Sequence, residues 1–214
     1  MTSTSAAAAP PPLPFSPASE RNGAPILAVL TTLLPASARV LEIASGTGQH
    51  AQRFCTAQPG WRWQPTDAEP RALGPIAQRC VGLTNVQTPL LLDVLAPDWP
   101  VSAAGPFDAA YCANMLHISP WATCAALMQG VAQRLAPGGL LLVYGPFEVD
   151  GEPLAPGNVA FDADLRGRNA GWGLRRLAAV DEQARARGLG FKQRHDMPAN
   201  NLLLVWQKVW QKPG

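Results

Sequence analysis

The stretch "RVLEIASGTGQH", Arg39 to His50, decides how the chain is read. Arg39 to Ala44 is strand-like, Ser45 to Gly48 is a turn of small residues, and Gly48 to Ala57 has helical spacing, ending near Pro59-Gly60. A strand, a glycine turn and a helix in that order form a ligand-binding device. A residue without a Cβ lets a ligand approach the main chain, and the helix N-terminus offers unpaired N–H groups.

Outward from this turn, apolar runs alternate with segments of helical period. Pro25 to Leu34 places Ile26, Val29, Leu30 and Leu33 on one face, which predicts a helix. Trp61 to Asp67 is a second strand closed by an acid, and Arg71 to Cys80 a helix. "PLLLDV", ending at Asp93-Val94, is a third strand, and Phe107 to Asn114 a fourth. Ser119 and Pro120, as N-cap and first residue, open a helix reaching about Leu135. "APGGLLLVYGPF" turns into a fifth strand, and "LRRLAAVDEQARARG" is a helix closed by Gly188. "LGFKQRHDM" and "NLLLVWQKVW" are two last strands whose link, "PAN", is too short for a crossover helix. The alternation predicts an α/β fold with a mostly parallel, seven-stranded sheet, helices on both faces and an antiparallel hairpin at one edge. Residues 15–214 are expected to form one domain, with 1–14 as a disordered tail.

Composition narrows the function. Hydrophobic residues make up 47% and charged residues 15%, with a net charge of +2, which suits a soluble protein and disfavours a nucleic-acid partner. The sequence has no apolar run long enough to cross a membrane. The start, "MTSTSAAAAPPPLP", lacks the basic residues of a secretory signal or transit peptide. Cys55, Cys80, Cys112 and Cys124 form no C-x-x-C pair and no zinc-ligand spacing, so reduced, buried thiols, no metal and a cytoplasmic location are expected.

Gly46, Gly48 and Ala51 fit G-x-G-x-x-G/A, with the acid Asp67 about 20 residues on, as a nicotinamide dinucleotide site requires. No Lys-Ser/Thr follows the glycines, which argues against an ATP-type phosphate loop. Glu42 tips the balance. A carboxylate inside the strand is poorly placed beside a pyrophosphate, but suits a ligand carrying an ammonium and a sulfonium, namely S-adenosylmethionine.

On "EIASGTG" the chain resembles class I S-adenosylmethionine-dependent methyltransferases, with Ala44 where a first glycine is common. More closely, "FSPASERNGAPIL", "LEIASGTGQHA", "WQPTD", "NMLHISPW", "APGGLLLVYGPF", "NVAFDADLRGRN" and "MPANNLLLVW" resemble the methyltransferase-like 26 family, also catalogued as a domain of unknown function. The resemblance covers Phe15 to Lys208 and implies a fold and a cofactor but no known substrate.

Cofactor contacts are expected from Gly46, Thr47 and Gly48 beneath the amino-acid part and from Glu42 towards its positive charge. Asp67 would hold both ribose hydroxyls. By resemblance, Asp93 and Val94 would border the adenine and Asn114 the methionine part. Arg21, in "SERN" ahead of the first helix, would meet the cofactor carboxylate from a lid. The competing readings are structural: an arginine partner for Glu42, capping for Asp67, Asp93 and "SERN". His117 and Tyr144 are the catalytic candidates, His117 as a general base or a buried structural histidine. Glu148, Phe161, Asp162, Arg168, Trp172 and Asn200 are candidates for the acceptor pocket, most of them in a long polar loop, "FDADLRGRNAGWG". The expected activity is methyl transfer to a small molecule, with a protein acceptor still open. An NAD-dependent oxidoreductase and a non-catalytic S-adenosylmethionine-binding protein are the alternatives.

Overall fold

The computed structural model describes residues 12–101 and 105–209. Most of the expected N-terminal tail, and Trp210 at the end of the expected last strand, lie outside these described residues.

Strands β1 (Arg39–Ile43), β2 (Arg62–Asp67), β3 (Leu90–Leu91), β4 (Phe107–Ala113), β5 (Leu135–Gly145), β8 (Leu189–Met197) and β9 (Asn201–Lys208) build the main sheet, in the order β3-β2-β1-β4-β5-β9-β8. The first five run parallel, whereas β9 runs antiparallel to both β5 and β8. The expected edge hairpin is therefore present, with its second strand inserted next to β5. The third strand is shorter than "PLLLDV" suggests. Leu91 is exposed at the sheet edge, and at Asp93 the chain turns, its carboxylate accepting from the Leu95 N–H.

Alternate residues of each strand feed two cores. Val40, Tyr111, Leu142 and Val205 face α1 (Pro17–Leu33) and α2 (Gln49–Ala57). Leu41, Cys112, Leu141 and Leu204 face α4 (Ala122–Arg134) and α6 (Leu177–Arg185). This accounts for the unbroken apolar runs, because a strand covered on both faces has no polar side. α3 (Pro70–Arg79) packs beside β2. The four cysteines are free and buried, and burial pushes all four thiols up.

Three elements differ from the sequence reading. α1 begins at Pro17, two turns before Pro25, because Ser16 caps it by accepting from the Ser19 N–H at 3.2 Å and Pro17 suits the first position. "SERN" is thus helical rather than a segment before the helix. The expected loop after strand five contains α5 (Pro156–Arg168), which buries Leu165 alone, so no apolar stripe announces it. It is flanked by a two-stranded parallel sheet, β6 (Phe147–Glu148) with β7 (Arg175–Arg176). α4 starts at Ala122, and the Ser119 hydroxyl donates to the Met115 carbonyl rather than capping that helix.

A buried contact ties α6 to β9. The Trp206 indole N–H donates to Asp181 at 3.0 Å, with the carboxylate also paired to Arg185. Asp181→Ala would strand that donor in the core, so the urea midpoint should fall by an amount equal to about 1–3 kcal/mol with an unchanged m-value.

Candidate functional site

A cavity of about 990 Å³ opens at the carboxyl ends of β1, β2, β4 and β5. It is lined by Ala44 to Thr47 after β1 and by Ala113 to Met115 around the end of β4. β1 and β4 are the neighbouring strands from which the chain proceeds to opposite sides of the sheet, the place where such folds bind ligands.

The turn after β1 is held by polar contacts that its sequence makes possible. Ala44, Gly46 and Gly48 all have positive φ (56°, 57° and 74°). The Gly46 N–H donates to Asp67 at 2.8 Å, the Ser45 N–H to the Thr66 carbonyl at 2.8 Å, and the Thr66 hydroxyl to the Glu42 carbonyl at 2.7 Å. The two glycines have different tasks. A Cβ on Gly46 would meet nothing within 4 Å and would point into open space, whereas one on Gly48 would lie 3.1 Å from the Ile76 Cα. Gly46 and Thr47 line the cavity; Gly48 does not, and serves instead as the left-handed start of α2 against α3. The expectation that Gly48 passes under a ligand is corrected accordingly.

Glu42 lies at the cavity floor, 2% exposed. Its Oε2 accepts from the Trp63 indole at 2.8 Å and the Ser45 hydroxyl at 2.8 Å, leaving Oε1 with no protein donor among the described residues. No arginine pairs with it. Burial, and secondarily the nearby Asp67 charge, raise its pKa to about 7 against the pull of those two hydrogen bonds. Asp67 closes β2 with one oxygen on the Gly46 N–H and the other on the Glu69 N–H at 2.9 Å, a local turn rather than a helix cap, because α3 starts after Glu69 with no side-chain cap. Asp67 still lines the cavity.

The start of α1 forms a wall through Ser16, Ser19, Arg21 and Asn22. It is fastened to the glycine turn: the Ser16 N–H donates to Gln49 at 2.6 Å, Arg79 spans from the Thr47 carbonyl to that of Pro14, and Glu20 pairs with Arg53. Arg21 is exposed and has no ion pair among the described residues. His50 and Asn22, which sequence reasoning passed over, face the same space. His50 stood inside the decisive motif, but nothing in the linear pattern linked it to Asn22 across 28 positions.

Opposite stand Asn114, His117, Phe161 and Asn200, joined by Met115, Ile118, Pro146 and Asn158, whereas Tyr144, at the end of β5, lies near Asn22 and Arg21. Asn114 has φ 60° and Asn200 φ 56°, both strained for a residue with a side chain. His117 is 4% exposed and meets Phe161 edge to face at 5.5 Å. Burial, with Arg175 nearby, lowers its pKa to about 4, so it is uncharged at neutral pH. Burial raises that of Tyr144. Asn158 donates to the Asn200 carbonyl at 3.0 Å, connecting α5 to the hairpin tip.

Six expected site residues besides Gly48 do not line the cavity. Asp93 turns its carboxylate to its own loop, and Val94 is buried in the core beneath α4. Glu148 belongs to β6. Asp162 is committed to Arg166 and to the Leu174 N–H, both at 2.7 Å. Arg168 pairs with Asp164 and covers Trp172 at 5.2 Å, so both pack at the outer end of α5.

The fold recurs in solved methyltransferases. The mitomycin 7-O-methyltransferase MmcR superposes with a TM-score of 0.76 at 16% identity, over 90% of this chain and 54% of that one. Human N-acetylserotonin methyltransferase, solved with S-adenosylmethionine, gives 0.74 at 16%, over 90% and 53%. The methyltransferase SibL gives 0.73 at 20%, over 90% and 56%. The chain spans a little over half the length of each, and at such identities the likeness establishes the fold. The chain belongs to the family described as "Protein of unknown function (DUF938)", which matches residues 13–208. That description does not include the methyltransferase-like 26 name suggested by the motifs.

The division of labour between the glycines can be measured. Gly48→Ala should cost at least about 1–2 kcal/mol of stability from its left-handed backbone alone, before the crowding against Ile76 is added. Gly46→Ala bears only the backbone term, so denaturant unfolding should rank Gly48→Ala as the less stable variant.

Proposed function

We propose that this protein binds S-adenosylmethionine and transfers its methyl group to a small-molecule acceptor. The observation that carries this reading is Glu42, a buried carboxylate with one unused oxygen beside a bare glycine turn. Such a group repels a pyrophosphate and attracts an ammonium, which favours this cofactor over a nicotinamide dinucleotide. The same closeness to the methyltransferase-like 26 family, seen in the motifs, belongs to this proposal.

The residues fit the cofactor in three places. Gly46 and Thr47 leave room beneath its amino-acid part, and Asp67 keeps lone pairs for ribose hydroxyls in addition to its two backbone partners. Arg21 is positioned for the carboxylate. Asp93 and Val94 have no adenine role in this reading. When bound, S-adenosylmethionine supplies a methyl group on a sulfonium, already a good leaving group, so the protein's work is mainly to orient the acceptor.

His117, Phe161, Asn114 and Asn200 form the acceptor side. An uncharged His117 accepts a hydrogen bond from an acceptor hydroxyl or amine and so aims its lone pair, while its low pKa makes it a weak store for the proton, which leaves to water. Tyr144 stays protonated and donates. Among the described residues this wall carries no charged side chain, which favours small neutral acceptors over a nucleic acid. Among the described residues no helix is long and apolar enough to cross a membrane. A cytoplasmic location remains part of this proposal.

Calorimetric titration with S-adenosylmethionine, S-adenosylhomocysteine and NAD tests the reading. Micromolar binding of the first two and none of NAD is expected; the reverse would overturn it. Slow methyl turnover on a metabolite extract would separate an enzyme from a cofactor-binding protein without catalysis.

Glu42 adds a pH signature. Its carboxyl titrates at about 7 in the free protein, and a bound cation favours the ionised form. Affinity for S-adenosylmethionine should therefore rise several-fold from pH 5.5 to 7.5, while Glu42→Gln should bind more weakly with a flat profile.

A further inference from the structure

His117 is buried in the acceptor wall, yet neither of its ring nitrogens has a protein hydrogen-bond partner among the described residues. Such a ring is aimed by packing and by its own main chain. It packs on the backbone of Gly145, where an added Cβ would lie 3.3 Å from the ring, and the edge contact with Phe161 bounds it further. The rest of the task falls to the turn that carries it, Leu116–Ile118.

That turn cannot hold its own end. Ser119 leaves it in an extended conformation and Pro120 has no N–H. The carbonyls of Leu116 and His117 therefore lack the donors that a continuing helix would return to them. The missing donors come from β7 and the residues just before it. The Gly173 N–H donates to the His117 carbonyl at 2.9 Å. Arg175 Nε donates to the Leu116 carbonyl at 3.0 Å, and Arg175 Nη2 to the carbonyls of Ser119 at 2.6 Å and Gly171 at 2.8 Å. The chain is thus gripped before, at and after His117.

Arg175 is half-buried and gives its hydrogens to these carbonyls rather than to an acid, Asp162 being paired with Arg166. Its guanidinium lies 5.6 Å from the ring centre of Trp121, which gives a task to an indole left 39% exposed. Asp162 fixes the same segment from α5, accepting from the Leu174 N–H at 2.7 Å. Arg175 itself does not line the cavity. Its charge, after burial, also works against protonation of the ring, which keeps His117 in the form that accepts a hydrogen bond.

We propose that Arg175 is a positioning residue for His117: its guanidinium, with the Gly173 N–H, holds the turn that aims the imidazole at an acceptor in the cavity. The acceptor in this statement rests on the methyl-transfer reading above; the brace does not.

Arg175→Lys is the decisive variant, because it keeps the positive charge and removes the planar fork, whereas Arg175→Gln removes both. Arg175 belongs to neither core, so both variants are expected to fold. Labelling of the full chain with diethyl pyrocarbonate, followed by peptide mass spectrometry, reads the three histidines separately. In Arg175→Lys the rate at His117 should rise at least fivefold, with buried His50 and the calorimetric affinity for S-adenosylmethionine both within twofold of wild type. Methyl turnover on a metabolite extract, at saturating S-adenosylmethionine, should fall at least tenfold with an unchanged KM for the cofactor, and Arg175→Gln should do no worse than Arg175→Lys by more than twofold. An unchanged rate at His117, an equal rise at His50, or wild-type turnover in Arg175→Lys would overturn the assignment. A wild-type protein that bound S-adenosylmethionine without any turnover would overturn the catalytic reading instead, and the labelling would still decide whether Arg175 holds His117.

Discussion

The bond from the Gly46 N–H to the Asp67 carboxylate fixes the site around it. It joins the turn after β1 to the end of β2 and holds the left-handed backbone that carries the chain from strand into helix. The strain of Ala44 at φ 56° is acceptable because this bond, the Ser45–Thr66 bond and the Thr66–Glu42 bond hold the turn from three directions. The same set of contacts brings Glu42 and Asp67 near each other, two acids in a partly dry cleft. Burial first, and their mutual repulsion as a smaller contribution, raise the Glu42 pKa to about 7. A positive charge placed between them would relieve that repulsion, which is the physical ground of the proposed preference.

Much of this was legible in the residues. A parallel sheet covered on both faces leaves long apolar strands, and "GLLLVY" or "RVLEI" could hardly be anything else. "PAN" allowed nothing but a hairpin. The legible features follow from helical spacing, unbroken apolar strands or turn chemistry, which act over a few neighbouring residues.

What was not legible depends on distant partners. Gly48 fits a ligand motif, yet its need for no side chain comes from Ile76 in the next helix. Asp93 looked like a strand-end acid, but the edge strand stops early and the carboxylate serves its own turn. α5 escaped notice because a helix that buries one leucine has no stripe to read. Asn22 and His50 become a pair only when α1 lies on α2, and the early start of α1 was hidden by Pro25, whose missing N–H frees only the carbonyl of exposed Arg21.

The insertion of β9 between β5 and β8 has an implication for how the chain is made. A ribosome delivers residues in order, and β5 emerges some 55 residues ahead of the strand that will cover it. Until then its inner edge offers unpaired N–H and C=O groups on a nearly pure leucine–valine run, an invitation to wrong pairing. The same segment carries the hairpin tip at Asn200, so the cavity gains its last wall only when the sheet is closed. Closure of the sheet and completion of the cavity thus depend on the same segment.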